Sequence, residues 1–166
     1  MDRLIEYLTL FLISVATFFN FGVIEPPPSI SDEAVYAEVL HVIDGDTIDV
    51  LLNGSRERIR YIGIDTPEIE YDSFESECFA VEARDMNRDL VEGKQVRLIA
   101  DTEDRDQYDR LLRYVYVDDL FINRYLLRKG AATTLSIPPN TKYCKEFNQI
   151  EFSAKEEGNG RWGMCL

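Results

Sequence analysis

Residues 47–68 read TIDVLLNGSRERIRYIGIDTPE, and this stretch decides the fold. Runs of the β-strand type occupy 47–52 and 56–64, on either side of Asn53-Gly54. Asn-Gly between two such runs is a strong signal for a two-residue hairpin turn. The stretch therefore predicts two antiparallel strands joined by a tight turn.

The rest of the chain predicts more strands and several helices around this hairpin. Short apolar runs indicate strands, and apolar residues recurring at helical spacing before a glycine indicate helices. The predicted strands are at 35–43, 95–100 and 111–117, and the predicted helices at 77–91, 121–129 and 141–157. Five strands with interspersed helices predict the α+β class, as a five-stranded OB-fold barrel with about three helices.

An apolar segment precedes this domain. Residues 7–24 read YLTLFLISVATFFNFGVI, with no ionisable group except Tyr7, at the lower edge of the length that spans a bilayer. The segment predicts an N-terminal apolar helix, and 1–24 is interpreted as a signal peptide or a membrane anchor. The lack of a clear small-residue cleavage site slightly favours an uncleaved anchor that contacts the membrane through 4–24. A buried core helix is the remaining alternative.

A proline-rich linker joins this leader to the folded domain. Residues 25–33 read EPPPSISDE, and consecutive prolines give a stiff, extended spacer. The linker has acidic residues and no Lys or Arg, which is consistent with export of the C-terminal side. We therefore expect a folded domain at 34–166, outside the cytoplasm in a secreted or membrane-anchored protein.

The composition permits a packed core but gives an acidic surface. Hydrophobic residues make up 45% of the chain, and 31 acidic against 18 basic residues give a formal net charge of −13. Charge alone argues against nucleic-acid binding, because phosphate backbones favour a positive surface. A single basic cleft can nevertheless coexist with an acidic exterior, and an excess of carboxylates suits a protein that holds a hard cation.

Two acidic segments predict a metal site. Residues 44–47 read DGDT between two predicted strands, and 65–68 read DTPE at the end of the third strand. The carboxylates of Asp46 and Asp65 and the backbone carbonyl of Thr66 are oxygen ligands of the kind that Ca²⁺ prefers. DGDT alone is more often an ordinary turn, and its pairing with DTPE is much more specific.

Three further residues predict hydrolysis of a phosphodiester. Glu68 can orient or deprotonate a water molecule, and the guanidinium groups of Arg60 and Arg110 can bind phosphate oxygens in bidentate fashion. Taken singly, Glu68 is as easily a solvated loop residue, and Arg60 an ordinary strand arginine in a run with Arg56 and Arg58. The combination of all three with a metal site favours the catalytic interpretation.

Seven segments of the chain carry a family resemblance. They read IDGDT, RIRYIGIDTPE, ECFAVEA, QYDRLLRYVYVD, FIN with LLRKGAA, PPNTKY and GRWGMC. From about residue 36 to 162 the chain resembles the staphylococcal nuclease (thermonuclease) family nearly end to end. The resemblance implies an OB-fold barrel with three helices and a calcium-dependent nuclease activity that does not depend on the type of sugar.

The resemblance also assigns roles to residues of this chain. They are Asp46, Asp65 and Thr66 as calcium ligands, and Arg60, Glu68 and Arg110 as the catalytic residues. It implies that Tyr108 packs against bound nucleotide, beside the two phosphate-binding arginines. Asp44 matches a neighbouring acidic position that is not itself a ligand.

Three departures from the family pattern weaken the predicted nucleotide binding. Asp109 stands where glycine is usual; aspartate tolerates the left-handed backbone, but its carboxylate could pair with Arg110 and compete with phosphate. Leu135 and Ile137 stand where tyrosines are common, and they cannot stack on a base, a contact worth about 1–3 kcal/mol. Gln107 replaces a lysine that can contact phosphate. None of these changes removes a catalytic residue.

The three cysteines suggest one disulfide in an exported protein. They are Cys78, Cys144 and Cys165, so two can pair and one remains free. Because members of the family also tend to carry a C-terminal cysteine, we expect a Cys78–Cys165 bridge that pins the tail to the barrel. Small buried thiols are the alternative, and zinc binding is disfavoured because CxxC is absent and His41 is the single histidine.

Together these features predict an exported, calcium-dependent nuclease that hydrolyses DNA or RNA as a monomer. A catalytically weak OB-fold module that binds nucleic acid or protein is the alternative. The complete set of Arg60, Glu68 and Arg110 favours the enzyme. The acidic surface, Asp109 and the missing tyrosines favour the binding module.

Overall fold

The computed structural model describes residues 34–70 and 76–165. The predicted leader (1–24) and linker (25–33) lie outside these residues. Within the described ranges, the helices are all too short or too polar to cross a bilayer.

A closed barrel of five strands forms the centre of the domain. The strands of the chain are β1 (Val35–Val42), β2 (Thr47–Leu52), β3 (Ser55–Tyr61), β4 (Gly63–Asp65), β5 (Gln95–Ile99), β6 (Leu111–Val117), β7 (Leu120–Phe121) and β8 (Thr133–Leu135). Strands β3, β2, β1, β5 and β6 are antiparallel neighbours in that order, and the parallel pairing of β3 with β6 closes the barrel. Strand β4 pairs separately with β8. The predicted OB-fold barrel is confirmed.

Helices pack against this barrel and complete the core. They are α1 (Ala80–Val91), α2 (Ile122–Arg128), α3 (Cys144–Glu156) and the single turn α4 (Arg161–Met164). Helix α1 contacts β1 and α2, and α3 contacts α2 and β8. Phe147 of α3 is fully buried, and its ring meets those of Tyr114, Phe121 and Tyr143. The three longer helices confirm the predicted α+β class.

The turn between β2 and β3 follows the prediction from Asn-Gly. Asn53 has φ +51° and Gly54 has φ +82°, so both central residues are left-handed, as a type I′ turn requires. The turn sets the register in which Leu52 faces Ser55. Arg56 and Arg58 therefore lie on one face of β3.

The predicted strand at 56–64 is broken at Ile62. Gly63 has φ +81°, a left-handed conformation that ends the regular strand, and a Cβ on this residue would lie 2.8 Å from the Phe147 ring. The buried Asn123 stabilises the break, because its Nδ2 donates to the Ile62 carbonyl at 2.9 Å. The break sends β4 out of the barrel toward β8.

The predicted helix at 77–91 begins three residues later than expected, at Ala80. Phe79 has φ +74°, which a residue inside an α-helix cannot adopt. Its side chain is buried in the core, so an apolar residue at this position belongs to the turn before the helix. The other two predicted helices differ from the structure by at most three residues at either end.

A disulfide joins the chain just before α1 to the chain just after α4. The Cα atoms of Cys78 and Cys165 are 5.9 Å apart, although the residues are 87 positions apart in the sequence. The third cysteine, Cys144, is a free thiol at the start of α3. The disulfide therefore fixes the C-terminus beside the segment that follows Glu68.

Candidate active site

The turn between β1 and β2 is shaped by Asp44 and Gly45. The Asp44 Oδ1 accepts the N–H of Asp46 at 2.9 Å, as in an Asx turn. A Cβ on Gly45 would lie 2.7 Å from the Thr66 side chain, so the turn packs against Thr66 as closely as only glycine allows. This close approach brings together Asp46 and Thr66, two of the predicted metal ligands.

Asp46 is a buried carboxylate with several hydrogen-bond donors around it. Its Oδ2 accepts from the backbone N–H (2.7 Å) and the hydroxyl (3.1 Å) of Thr66. Its Oδ1 accepts from the Thr47 hydroxyl at 3.2 Å and lies 2.8 Å from Nη1 of Arg60. Burial raises the pKa of Asp46 to about 7, and the charges of Asp44 and Asp65 add to this effect against the charge of Arg60 and the hydrogen bond from Thr66. The site thus holds more negative charge than one guanidinium compensates.

Arg60 connects the two predicted carboxylate ligands. Its Nη1 donates to the Ile64 carbonyl at 2.9 Å, and its Nη2 donates to Asp65 Oδ1 at 2.6 Å. With the Nη1 contact to Asp46, these bonds hold the guanidinium in place, and only 12% of the side chain is exposed. The structure therefore brings Asp46, Arg60, Asp65 and Thr66 into one contact network.

The residues present fit a hard cation. Asp46 and Asp65 offer carboxylate oxygens beside Thr66, and oxygen donors of this type suit Ca²⁺. In the part of the chain that the structure describes, no three His, Cys, Asp or Glu side chains form a metal-binding group. A site here would therefore use two carboxylates and backbone oxygen. The charge excess at Asp46 is the property that a bound cation would relieve.

Glu68 is exposed, and two hydrogen bonds join its backbone to Glu77. The Glu77 Oε2 accepts the N–H of Glu68 at 3.2 Å, and the N–H of Glu77 donates to the Glu68 carbonyl at 3.1 Å. Partial burial raises the pKa of Glu68, and the charges of Asp44 and Asp65 add to this effect against that of Arg60. A raised pKa suits a general base that works near neutral pH.

Arg110 precedes β6 and is held by Asp106. The Asp106 Oδ2 accepts the Nε–H of Arg110 at 2.7 Å, and its Oδ1 accepts the backbone N–H groups of Arg110 and Tyr108 at 3.0 Å each. The Tyr108 ring centre lies 5.4 Å from the Arg110 guanidinium carbon. Among the described contacts of Arg110, the bond to Asp106 uses Nε–H and leaves both Nη groups for a phosphate.

The pairing predicted between Asp109 and Arg110 is wrong. The Asp109 carboxylate is 89% exposed and lies 3.5 Å from Nη1 of Arg105, while Arg110 pairs with Asp106. Asp109 has φ +65°, the left-handed conformation that aspartate tolerates better than most residues. The left-handed backbone conformation is therefore retained without glycine, and the Asp109 carboxylate contacts Arg105 instead of Arg110.

We expect Asp109→Gly to leave kcat/KM within about twofold of the wild-type value at low and at high salt, because exposed ion pairs contribute only about 0–1 kcal/mol. The free energy of unfolding should change by less than about 1 kcal/mol, since relief of the left-handed strain opposes the greater freedom of the unfolded chain. Steady-state rates at two salt concentrations check this. A several-fold increase at low salt would show that Asp109 does restrain Arg110.

A cavity of about 310 Å³ lies between the two predicted catalytic arginines. Arg60 and Arg110 line it together with Leu135, Ile137 and Asn140. Asn140 is buried and joins the cavity wall to the loop before Arg110, because its amide exchanges two hydrogen bonds with the Glu103 backbone (2.7 and 3.1 Å). The apolar side chains at 135 and 137 offer van der Waals contact in place of an aromatic face.

The residues that hold the predicted catalytic groups were not predicted from the sequence. Asp106 and Glu77 position Arg110 and Glu68, and neither was predicted to do so. The spacing of Asp106, four residues before Arg110 and two before Tyr108, was a usable signal for an Asx turn. No comparable local signal exists for Glu77, because its bond to Glu68 joins residues nine positions apart.

Comparisons with known proteins are consistent with this geometry. The family model described as staphylococcal nuclease homologue matches residues 58–164. Endonuclease YncB of Bacillus subtilis is 38% identical over 122 residues, which cover 72% of this chain and 58% of that protein. Thermonuclease of Staphylococcus hyicus is 33% identical over 132 residues, which cover 80% of this chain and 78% of that protein.

The length of these matches differs between relatives. The SPbeta prophage-derived endonuclease YokF of Bacillus subtilis is 38% identical over 132 residues, which cover 78% of this chain but only 45% of that protein. The chain thus spans about half the length of the two Bacillus endonucleases and about three quarters of the Staphylococcus hyicus thermonuclease. With a family match over residues 58–164, which is more than half of the chain, the chain belongs to the staphylococcal nuclease family.

Proposed function

We propose that this protein is a calcium-dependent nuclease that hydrolyses phosphodiester bonds of DNA or RNA. The observation that carries the proposal is the Arg60 guanidinium, which contacts both Asp46 and Asp65 and lines the same cavity as Arg110. A phosphate between the two arginines would lie next to oxygen donors for a cation. Glu68 supplies the general base, and its pKa responds to the charge of Arg60.

Glu68 acts on the attacking water, and the two arginines act on the phosphate. Glu68 accepts the proton of the attacking water, and the raised pKa of its carboxyl favours this transfer near neutral pH. Arg60 and Arg110 bind the non-bridging phosphate oxygens, where negative charge grows in the transition state. Both guanidinium groups are already held by carboxylates, so little reorganisation is needed when the phosphate binds.

Asp46, Asp65 and the Thr66 backbone carbonyl are the residues that would hold calcium. The chemistry that calcium supplies when bound is polarisation of a phosphoryl oxygen. The bond from Arg60 to the Ile64 carbonyl does not involve the carboxylates that would bind calcium, so it would hold the guanidinium beside them.

We further propose that the domain acts outside the cytoplasm as a monomer, secreted or anchored through 4–24. The Cys78–Cys165 disulfide supports this location, because such bonds persist in oxidising compartments. The similarity to YncB and YokF, which are named endonucleases, supports internal cleavage of the polymer. The alternative, a binding module that does not cleave, is favoured by the net charge of −13 and by the apolar residues at 135 and 137.

The test is digestion of single-stranded DNA by the purified protein with calcium or with a chelator. We expect cleavage only with calcium, and Asp46→Asn should lower calcium affinity by at least about 10-fold in calorimetric titration, since even outer partners of a metal ligand contribute that much. Asparagine is preferred to alanine because Asp46 also accepts two hydrogen bonds from Thr66.

The matched control is Asp85→Asn on α1, a surface aspartate that pairs with Arg84 and Arg88. This variant should bind calcium like the wild type. Unchanged calcium affinity in Asp46→Asn would remove Asp46 from the site. Tight binding of DNA by the wild type without cleavage would favour the binding module.

A further inference from the structure

We propose that Arg56 and Arg58, held by the buried carboxylate of Asp49, bind the phosphodiester group of a nucleotide that flanks the one being cleaved. The inference rests on the proposed nuclease function and extends it, since it assigns a second phosphate site on a longer polynucleotide. These residues lie on β2 and β3, outside the network of Asp46, Arg60 and Asp65.

The three residues form a rigid cluster on the barrel surface. Asp49 and Arg58 are opposite partners in the β2–β3 pairing, and Arg56 lies two residues earlier on the same face of β3. Arg58 binds the carboxylate in bidentate fashion, with Nε–Oδ1 at 2.8 Å and Nη2–Oδ2 at 3.1 Å. Arg56 Nη2 also contacts Asp49 Oδ2. One carboxylate thus fixes two guanidinium groups side by side.

The two guanidinium groups of the cluster are exposed to solvent, whereas its carboxylate is buried. Only 2% of the Asp49 side chain is exposed, against 64% for Arg56 and 49% for Arg58. The hydrogen bonds from the two arginines lower the pKa of Asp49 below its usual value, so its carboxylate stays ionised. Two guanidinium groups and one carboxylate leave one uncompensated positive charge at this point of an otherwise acidic chain.

The other carboxylates that line the groove pair with a different arginine, and Asp44 acts on Arg58 electrostatically. Glu57 and Asp109 are the other acidic residues of the surrounding groove, and both contact Arg105. Arg105 Nη1 lies 3.0 Å from Glu57 Oε2 and 3.5 Å from Asp109 Oδ1. The side chains of Arg56 and Arg58 therefore remain available to an anion from solvent.

The groove connects this cluster to the proposed catalytic cavity. It encloses about 660 Å³ and is lined by Arg56, Arg58, Tyr108 and Arg110. Arg110 lines both this groove and the 310 Å³ cavity, and the exposed Tyr108 ring lines the groove beside Arg110 as a surface on which a base can stack. A polynucleotide with one phosphate at Arg110 that follows the groove would reach Arg56 and Arg58.

A phosphodiester is the anion that this geometry fits. Arginine presents a planar fork that matches phosphate oxygens, and a guanidinium held in advance loses little conformational freedom on binding. The groove continues from a proposed phosphate-cleaving site, and this continuity favours a polynucleotide over an anionic membrane surface.

The test compares Arg56→Gln with Arg88→Gln on two substrates, a chromogenic single-nucleotide phosphodiester and a 12-nucleotide single-stranded DNA. Arg56→Gln leaves the Arg58–Asp49 pair intact, so the fold should be retained, as thermal unfolding would show. Arg88→Gln makes the same charge change at an exposed, carboxylate-paired arginine that does not line the groove.

We expect Arg56→Gln to raise KM for the 12-nucleotide DNA by about 3–10-fold with kcat unchanged, as loss of one hydrogen bond of ordinary net strength would do. The single-nucleotide substrate and Arg88→Gln should show wild-type values. The salt dependence of log KM should become shallower by about 0.7, the contribution of one phosphate contact on a single strand.

Three results would overturn the proposal: an unchanged KM for the DNA, an equal rise in KM on both substrates, or an equal effect of Arg88→Gln. Loss of binding to anionic lipid vesicles in Arg56→Gln, with KM for DNA unchanged, would assign the cluster to lipid headgroups and would also overturn it. If the wild type cleaves neither substrate, the nuclease function fails. Fluorescence anisotropy of the labelled DNA with Arg56→Gln and Arg88→Gln then decides the phosphate site separately.

Discussion

Replacement of Glu68 by glutamine is expected to lower kcat/KM for single-stranded DNA by about 10²–10⁴-fold, the usual contribution of a general base. Glutamine keeps the size of the side chain and removes only its ability to accept a proton. Glu68 is exposed, and its own carboxylate takes no part in the two bonds between its backbone and Glu77. The free energy of unfolding should therefore change by less than about 0.5 kcal/mol. Glu68→Gln should therefore lower kcat/KM while leaving the stability of the domain nearly unchanged.

The matched control for this experiment is Glu70→Gln. Glu70 is another exposed carboxylate on the same loop, where its N–H donates to the Ser76 hydroxyl at 3.3 Å. Glu70→Gln makes the same change in net charge as Glu68→Gln, so it measures how much of the loss in kcat/KM is a general electrostatic effect. If Glu68→Gln and Glu70→Gln lower kcat/KM equally, Glu68 is not the base. If both retain wild-type activity, another group must accept the proton.

Local sequence signals predicted the hairpin but could not predict the break in the following strand. The turn at Asn53 and Gly54 depends on the backbone preferences of those two residues, which the sequence shows directly. The break at Gly63 depends on the Phe147 ring, which comes from α3 and lies 2.8 Å from the Cβ position. Gly63 inside the predicted strand was a local signal of an irregularity, whereas its contact with a ring more than eighty residues away is not visible in the local pattern.

The same limit explains the misassigned partner of Arg110. Both Asp106 and Asp109 precede Arg110, and adjacency in sequence favoured Asp109. The left-handed backbone of Asp109 turns its carboxylate toward Arg105, and the resulting turn brings Asp106 to the Nε–H of Arg110. The identity of the predicted site residues came from motifs, whereas their partners depend on the path of the chain.

Removal of the Cys78–Cys165 disulfide is expected to lower the free energy of unfolding by about 2–5 kcal/mol. The bond joins residues 87 positions apart, so it restricts the unfolded chain over much of the domain. Since a domain of this size is usually stable by only about 5–15 kcal/mol, the melting temperature should fall by roughly 5–20 °C. The protein should still fold at low temperature.

In the native state, removal of the disulfide should mainly loosen the structure around Cys78. The tail has its own attachment, because the N–H of Arg161 donates to the Gly130 carbonyl at 3.0 Å and a Cβ on Gly130 would lie 2.0 Å from the Asn159 carbonyl oxygen. Cys78 directly follows Glu77, which closes the loop that carries Glu68. Loss of the bond should therefore loosen Glu68 and lower kcat/KM even well below the melting temperature.

The experiment compares the double variant Cys78→Ser, Cys165→Ser with Cys144→Ser, which removes the free thiol and should match the wild type in both stability and rate. A non-reducing peptide map of the wild type should show the Cys78 and Cys165 peptides joined. Treatment with a dithiol, which becomes oxidised as it reduces the bond to two thiols, should reproduce the double variant. A bridge that contains Cys144, or three free thiols, would contradict the pairing. A double variant that melts lower but keeps the wild-type kcat/KM would show that the disulfide stabilises the domain without positioning Glu68.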